Sequence, residues 1–249
     1  MINYLKSEHY RILRKKNLYI TSVICFLLIT AAAFVLYVTD KFDPNFPYAS
    51  SLFLYSNVIS STILIVIVAF LFNIALTGKD SSVIKQSVSF GVSRSTIFWS
   101  KLVLTLSYFL IICLIGLVLV IGLGEGFFAN EERSISNFII ASFNMLPIVL
   151  SGFFMIHALK MLKVGDIYII LLLFLTYSFS GDFLRIIPES IVGLSELYQY
   201  APSTLLTENL MSFMDIEAQF DYRHWIVGTV ISVVFLIIGS RKFAKINID

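Results

Sequence analysis

Residues Leu102–Ile121 read LVLTLSYFLIICLIGLVLVI. These twenty consecutive positions contain no Asp, Glu, Lys, Arg or His. A helix needs roughly 20 apolar residues to cross a hydrocarbon core of about 30 Å. The run shows none of the apolar–polar alternation of a membrane-barrel strand, whose segments are about 10 residues long. Lipid offers the backbone no hydrogen-bond partners, so a non-alternating span must be helical. Lys101 opens the run, and the first acid beyond it is Glu125.

The rest of the chain extends that reading. It is 58% hydrophobic and 14% charged, with a mean hydropathy of +0.88, too apolar for a soluble chain of 249 residues. Six spans are predicted, over Leu18–Val38, Leu52–Leu76, Leu102–Leu123, Phe138–Leu159, Ile167–Phe183 and His224–Ser240. The fifth is the weakest, because Ser180-Gly181-Asp182 interrupts it. The predicted fold is an all-α polytopic membrane protein, with residues 1–17 as a cytoplasmic amphipathic elbow helix and 18–249 as the six-span bundle.

Net charge is only +2, but its placement is informative. Lys6, Arg11, Arg14, Lys15 and Lys16 precede the first span. Lys79, Lys85, Arg94 and Lys101 lie between the second and third, Lys160 and Lys163 between the fourth and fifth, and Arg241, Lys242 and Lys245 in the tail. The other side holds only Lys41, Arg133, Arg185 and Arg223 of the 18 basic residues. The positive-inside rule then places both termini in the cytoplasm. Most acids fall outside, but acids contribute little to orientation.

A signal peptide is the competing reading of the start, with Ala31-Ala32-Ala33 as its cleavage site. The apolar run continues through Phe34–Val38, which favours an uncleaved span. Cys25 and Cys113 both lie within apolar runs and read as small hydrophobes. The outer connection before the sixth span, about 40 residues, is apolar at helical spacing, with Pro188 and Pro202 as helix starts. It reads as short helices in or on the outer leaflet, or as a compact cap. No internal repeat of the kind frequent in secondary transporters is visible.

Two cytoplasmic segments carry the functional information. In Met1–Asn17, Ile2, Leu5, His9 and Ile12 fall at helical spacing among basic residues. This predicts an amphipathic helix in the inner headgroup layer, as a topology signal or as an elbow touching a partner. In Thr77–Lys101, Asp80 or Ser81 can cap a short helix bearing a stripe of Val83, Ile84, Ser87 and Val88. Lys85 and Gln86 turn away from the stripe, Gly91 ends the helix left-handed, and Ser93-Arg94-Ser95 restarts the chain. Such a helix suits a socket contact with another protein, or is simply a surface helix.

The stretch Ile84–Lys101, with Ile84-Lys85 near its start, Gly91-Val92-Ser93-Arg94 as its turn and Lys101 at its end, resembles the loop between the second and third spans of the ABC-transporter type-2 permease family. The opening Tyr4-Leu5-Lys6 with Arg11–Lys16, the six-span plan and the long apolar outer segment resemble that family too. One departure is that the family often has Glu early in this loop, where this chain has Asp80. The resemblance implies a permease paired as a homo- or heterodimer, with each half on a separate cytoplasmic ATPase that binds ATP and Mg. Ser81, Val83, Ile84, Lys85, Val88, Gly91, Ser93, Arg94 and Lys101 would then form the ATPase-coupling surface. Length and opening resemble permeases for bacteriocin or lantibiotic immunity and peptide export, which implies a bacterial plasma membrane, membrane lipids as partners and no nucleic acid. The only Gly-Lys pair, Gly78-Lys79, is followed by Asp80 without the upstream glycine of a phosphate loop. Nucleotide hydrolysis is therefore expected on another chain, and no cofactor on this one.

Polar residues within spans are candidates for a substrate path or for helix packing: Ser56, Asn57, Ser60, Asn73 and Asn144. Ser56 and Ser60 form a small-xxx-small pair. His157 and Lys160 are expected to snorkel from the end of the fourth span. No His-Glu-x-x-His, no Gly-x-Ser-x-Gly and no paired intramembrane acids occur, so an enzyme is not expected. The span centres carry no charge of the kind ion-coupled carriers place near the midplane. The expected function is the membrane subunit of an ATP-driven exporter of amphipathic or antimicrobial peptides, or of lipid-like compounds. The alternatives are a non-transporting anchor or receptor subunit, or an ATP-independent carrier.

Overall fold

The computed structural model describes residues 2–43, 46–77, 81–129, 132–186 and 195–246, and among them every regular element is helical. A short helix, α1 (Ile2–Leu13), leads into α2 (Lys16–Phe42). A broken pair follows, α3 (Ser51–Ser60) and α4 (Thr62–Thr77), then the short α5 (Ser81–Ser89). Next come α6 (Arg94–Phe127), α7 (Ser134–Met161), α8 (Asp166–Tyr177) and α9 (Ser180–Arg185). A 3-10 turn, Ser195–Tyr200, precedes α10 (Pro202–Met214) and α11 (Tyr222–Lys245).

Among the described residues four helices, α2, α6, α7 and α11, are long and apolar enough to cross a membrane, and the bent pair α3–α4 makes a fifth if it is one span rather than a re-entrant loop. These helices fit a multi-pass membrane protein. The predicted fifth span over Ile167–Phe183 is the element that differs. Its helix, α8, has 12 residues, a length of about 18 Å, well short of the hydrocarbon thickness. The chain turns at Ser178–Phe179, and α9 is tied sideways to α10. The Gly181 amide donates to Ser203 Oγ at 2.7 Å, and the Ser203 amide, an orphan donor in the first turn of α10, bonds Ser180 Oγ at 3.3 Å. A Cβ on Gly181 would stand 2.3 Å from Thr204 Oγ1, so only glycine allows this contact. The Ser-Gly-Asp interruption is therefore a docking knot.

The second span is likewise two helices, bent by 57° at Ser61. Ser56, Asn57, Ser60 and Thr62 each bond a carbonyl three or four residues back. Side chains that compete in this way for helical carbonyls bend helices.

The hub is α7, packed against α11, α4, α10, α3, α8 and α6. Between helices in lipid there is little hydrophobic gain, and close packing has to hold them. Gly228 of α11 meets Pro147 of α7 so closely that a Cβ would lie 2.4 Å from the Pro147 carbonyl oxygen. Gly239 stands in the same relation to Ala158, with a notional Cβ–Cβ distance of 2.6 Å, and Ser232 is buried between them. Large side chains fill the middle, with Phe109 stacked on Phe153 at 5.1 Å. Tyr55 stacks on Phe138 at 4.5 Å nearer the end opposite α1.

The long connection before α11 does not lie on the surface throughout. Pro202 opens α10 as its sequence position predicts, and Leu205 and Phe213 are fully buried against the bundle. Pro188 and the apolar residues around it lie outside the described residues.

Candidate functional site

The loop expected to receive a partner sits where α1, α5, the first turns of α6 and the last turns of α7 and α11 converge. Ile97, Phe98, Met161 and Phe243 are its buried centre, with Tyr4, Ile84, Val88 and Val92 packed on them. The apolar stripe of α5 is thus occupied within the chain. Lys85, Gln86 and Ser89 point away from it. Val83 is half-buried, while the side chain of Ser81 and the whole of Asp80 lie outside the described residues.

The end of α5 is built as its residues predict. Gly91 has φ +85°, the Val92 amide bonds the Ser87 carbonyl and the Gly91 amide the Val88 carbonyl, both at 3.0 Å. This paired closure needs a left-handed residue that glycine adopts without strain. Ser93 then caps α6, its Oγ accepting from the Thr96 amide at 3.1 Å. One consequence is that Phe90, immediately before the turn, is 86% exposed. An aromatic ring is thereby presented on a perch whose back is packed. Sequence reasoning passed over Phe90; the available signal is an aromatic placed off the apolar stripe just before the helix-ending glycine.

Arg94 faces inward. Its guanidinium donates to the Ala244 carbonyl oxygen at 3.0 Å. That oxygen belongs to the last turn of α11, where carbonyls lack helical partners and a cation is favoured. Arg94 therefore joins the loop to the tail helix.

Lys101 is buried, 1% exposed, and its Nζ lies 3.4 Å from Glu8 Oε2 of α1, itself 3% exposed. Arg11 bonds the same carboxylate at 2.5 Å, and Tyr4 donates to Oε1 at 2.9 Å. Ser87 of α5 instead donates to the Val83 carbonyl of its own helix at 2.8 Å, while Ile84 and Val88 pack with Tyr4 on the buried centre. Burial alone would raise the Glu8 carboxyl, but Lys101, the Arg11 bond and charge and the Tyr4 hydroxyl outweigh it and hold the pKa below its ordinary value. Burial, helped by the Glu8 charge, pushes the Tyr4 phenol far up, so it remains a donor. Two turns along α6, Tyr108 bonds His9 at 3.1 Å with the rings stacked. The inward face of α1 is consequently Leu5, Glu8 and Ile12, turned onto the protein, with Lys6 and Tyr10 outward. Glu8 was not among the expected site residues. Its signal was isolation: it is the only acid before Asp40.

The intramembrane candidates divide by burial. Asn144 is 3% exposed and fully engaged. Its amide donates to Asn209 Oδ1 at 3.2 Å and to the Gln219 carbonyl at 2.8 Å, while its oxygen accepts the Asp221 amide at 3.1 Å. It fastens the connection before α11 to α7. Asn73 is buried and bonds the Ala69 carbonyl, and Ser56 is buried against its own helix. These three pack. Asn57 and Ser60 are exposed, on the outward side of the break at Ser61. The small-xxx-small pair is therefore split, Ser56 inward and Ser60 outward.

The snorkelling expected of His157 is not what the structure shows. It is completely buried, its Nε2 3.3 Å from the Phe98 carbonyl and its ring against Phe98 at 5.0 Å. The helix end at Met161 lies one turn beyond it, so His157 falls inside the packed base. Lys160 is near the surface and pairs with Asp166 at 2.5 Å. Cys25 and Cys113 are free thiols, each partly buried.

No protein-family model matches the chain, and no curated protein matches it in sequence.

Proposed function

We propose that this chain is the membrane-spanning subunit of an ATP-driven exporter of the ABC type. It works as a dimer on a separate cytoplasmic ATPase and moves amphipathic peptides or lipid-like molecules out of the cell or its membrane. The observation that carries this reading is the perch of α5. Its apolar back is seated on α1, α6 and α11, and its front offers Phe90 with Lys85, Gln86 and Ser89 to the basic end of the bundle. Exposed aromatics on rigid supports are efficient contact anchors. A push on α5 would reach α4 and turn it against α3 at Ser61, where the pair is already bent.

The face beside that bend supports the same reading. Asn57 and Ser60 are exposed on an otherwise apolar helix pair, and polar groups facing lipid are unfavourable. A second permease copy or a hydrated path would cover them. Ser56, Asn73 and Asn144 hold the helices that frame it.

The test uses inverted membrane vesicles from cells producing the chain with its ATPase. A fluorescent cationic amphipathic peptide should accumulate on addition of MgATP and not of MgADP. Phe90→Ser should abolish accumulation while membrane insertion and the amount of chain stay unchanged. ATP-independent accumulation would point to a carrier. Equal accumulation with and without the chain would point to an anchor or receptor, and full activity of Phe90→Ser would remove α5 from the coupling path.

A further inference from the structure

The buried charge cluster under α5 does something that neither the loop nor the spans do alone. Glu8 is the point at which three elements meet: α1 supplies the carboxylate, α6 supplies Lys101 at 3.4 Å, and Tyr4, which donates to that carboxylate, packs with Ile84 and Val88 of α5 on one buried centre. A buried cluster of this kind is held by mutual charge and hydrogen bonding, and Glu8 is the carboxylate that both Lys101 and Arg11 meet. The His9–Tyr108 contact adds a second tie farther along the same two helices. Only Arg14 and Lys15 separate α1 from α2.

We infer that α1, α5 and the base of α6 form one mechanical body, with Glu8 as the positioning residue that joins them, so that displacement of α5 is carried into the amino-terminal helix and through it to α2. What this body transmits rests on the exporter reading; that it is joined at Glu8 does not. A surface-bound amphipathic helix would lean on lipid by its apolar stripe alone and would keep its place without Glu8.

The test is a distance measurement on the full chain in phospholipid vesicles, without nucleotide. Cys25 and Cys113 are changed to Ser, and spin labels are attached at Lys6→Cys and Gln86→Cys, both exposed positions on α1 and α5. The parent chain is expected to give one narrow distance distribution. Glu8→Gln and, separately, Lys101→Met are expected to broaden it and add a longer component. An unchanged distribution in both variants, or a broad one in the parent, would overturn the proposal. Should these variants fail to insert, Glu8→Asp keeps the charge and withdraws it by one methylene. A shift to longer distance then supports the joint, and no shift overturns it. Since no ATP is present, failure of the exporter reading would appear only in the vesicle accumulation assay.

Discussion

At the residue scale, two lysines of similar sequence standing behave oppositely. Lys101 and Lys160 both flank apolar runs, yet Lys101 is buried against Glu8 and Lys160 meets a half-exposed Asp166. Removing one partner of a buried pair costs about 3–5 kcal/mol, whereas an exposed pair contributes about 1 kcal/mol or less. Lys101→Met is therefore expected to lower the melting temperature of the detergent-solubilised chain clearly, and Lys160→Met hardly at all; equal shifts would contradict the burial. The Glu8 carboxyl is held below its ordinary value of 4.5 in the folded chain. Its contribution is present above that value and is lost as pH falls through the lower folded value. A melting profile on acidification should accordingly be flatter in Glu8→Gln than in the parent. Asn144→Ala strands the Asp221 amide and the Asn209 Oδ1, and each buried unsatisfied group costs about 1–3 kcal/mol. None of this was visible one residue at a time. The positions of Lys101 and Asn144 drew attention, but their partners, Glu8 and Asn209, lie 93 and 65 residues away.

At the element scale, α5 shows how far local chemistry reaches. Its helical stripe, its Gly91 terminator and the restart at Ser93 are all short-range, and the structure has each where the spacing predicts it. Which face of α5 is available depended on its neighbours. The stripe is spent on Phe98, Met161 and Phe243, so the exposed surface is the opposite one, ending in Phe90. Ile84→Ala with Val88→Ala is thus expected to loosen the base and lower thermal stability. Phe90→Ser, at an exposed site, should stay within about 0.5 kcal/mol of the parent. A reversed order in a light-scattering melt would refute that assignment of faces. Arg94→Glu removes the bond to the Ala244 carbonyl and places a negative charge at a helix C-terminus, so it should destabilise the tail helix as well as impair coupling. At the other crossing, Gly228→Ala presses a methyl group onto backbone of α7. Overpacking of that kind costs typically about 1–3 kcal/mol, and a wild-type melt would mean that α11 can move away freely.

At the scale of the whole molecule, the basic and acidic ends make a statement about orientation. With Cys25 and Cys113 changed to Ser, Glu217→Cys should react with a membrane-impermeant maleimide in intact cells, and Lys6→Cys and Lys242→Cys only after lysis. Labelling of Lys6→Cys in intact cells would invert the molecule and place α5 on the wrong side for a cytoplasmic ATPase. The sequence by itself determined that the chain is helical and apolar enough for a membrane, where its charge lies, that α5 ends at Gly91 and that α10 opens at Pro202. Those properties follow from hydropathy summed over some twenty neighbours and from capping within one turn. Only the tertiary structure decided that the fifth apolar stretch is a short helix with a knot onto α10, that the second is broken, and that His157 and Lys101 are interior. The break goes with side chains bonding carbonyls within one turn, and the other outcomes depend on contacts between distant residues, such as Gly181 with Ser203 or Lys101 with Glu8. In a bundle held by close packing and a few buried polar bonds, the partner decides whether a polar side chain faces lipid, water or the core.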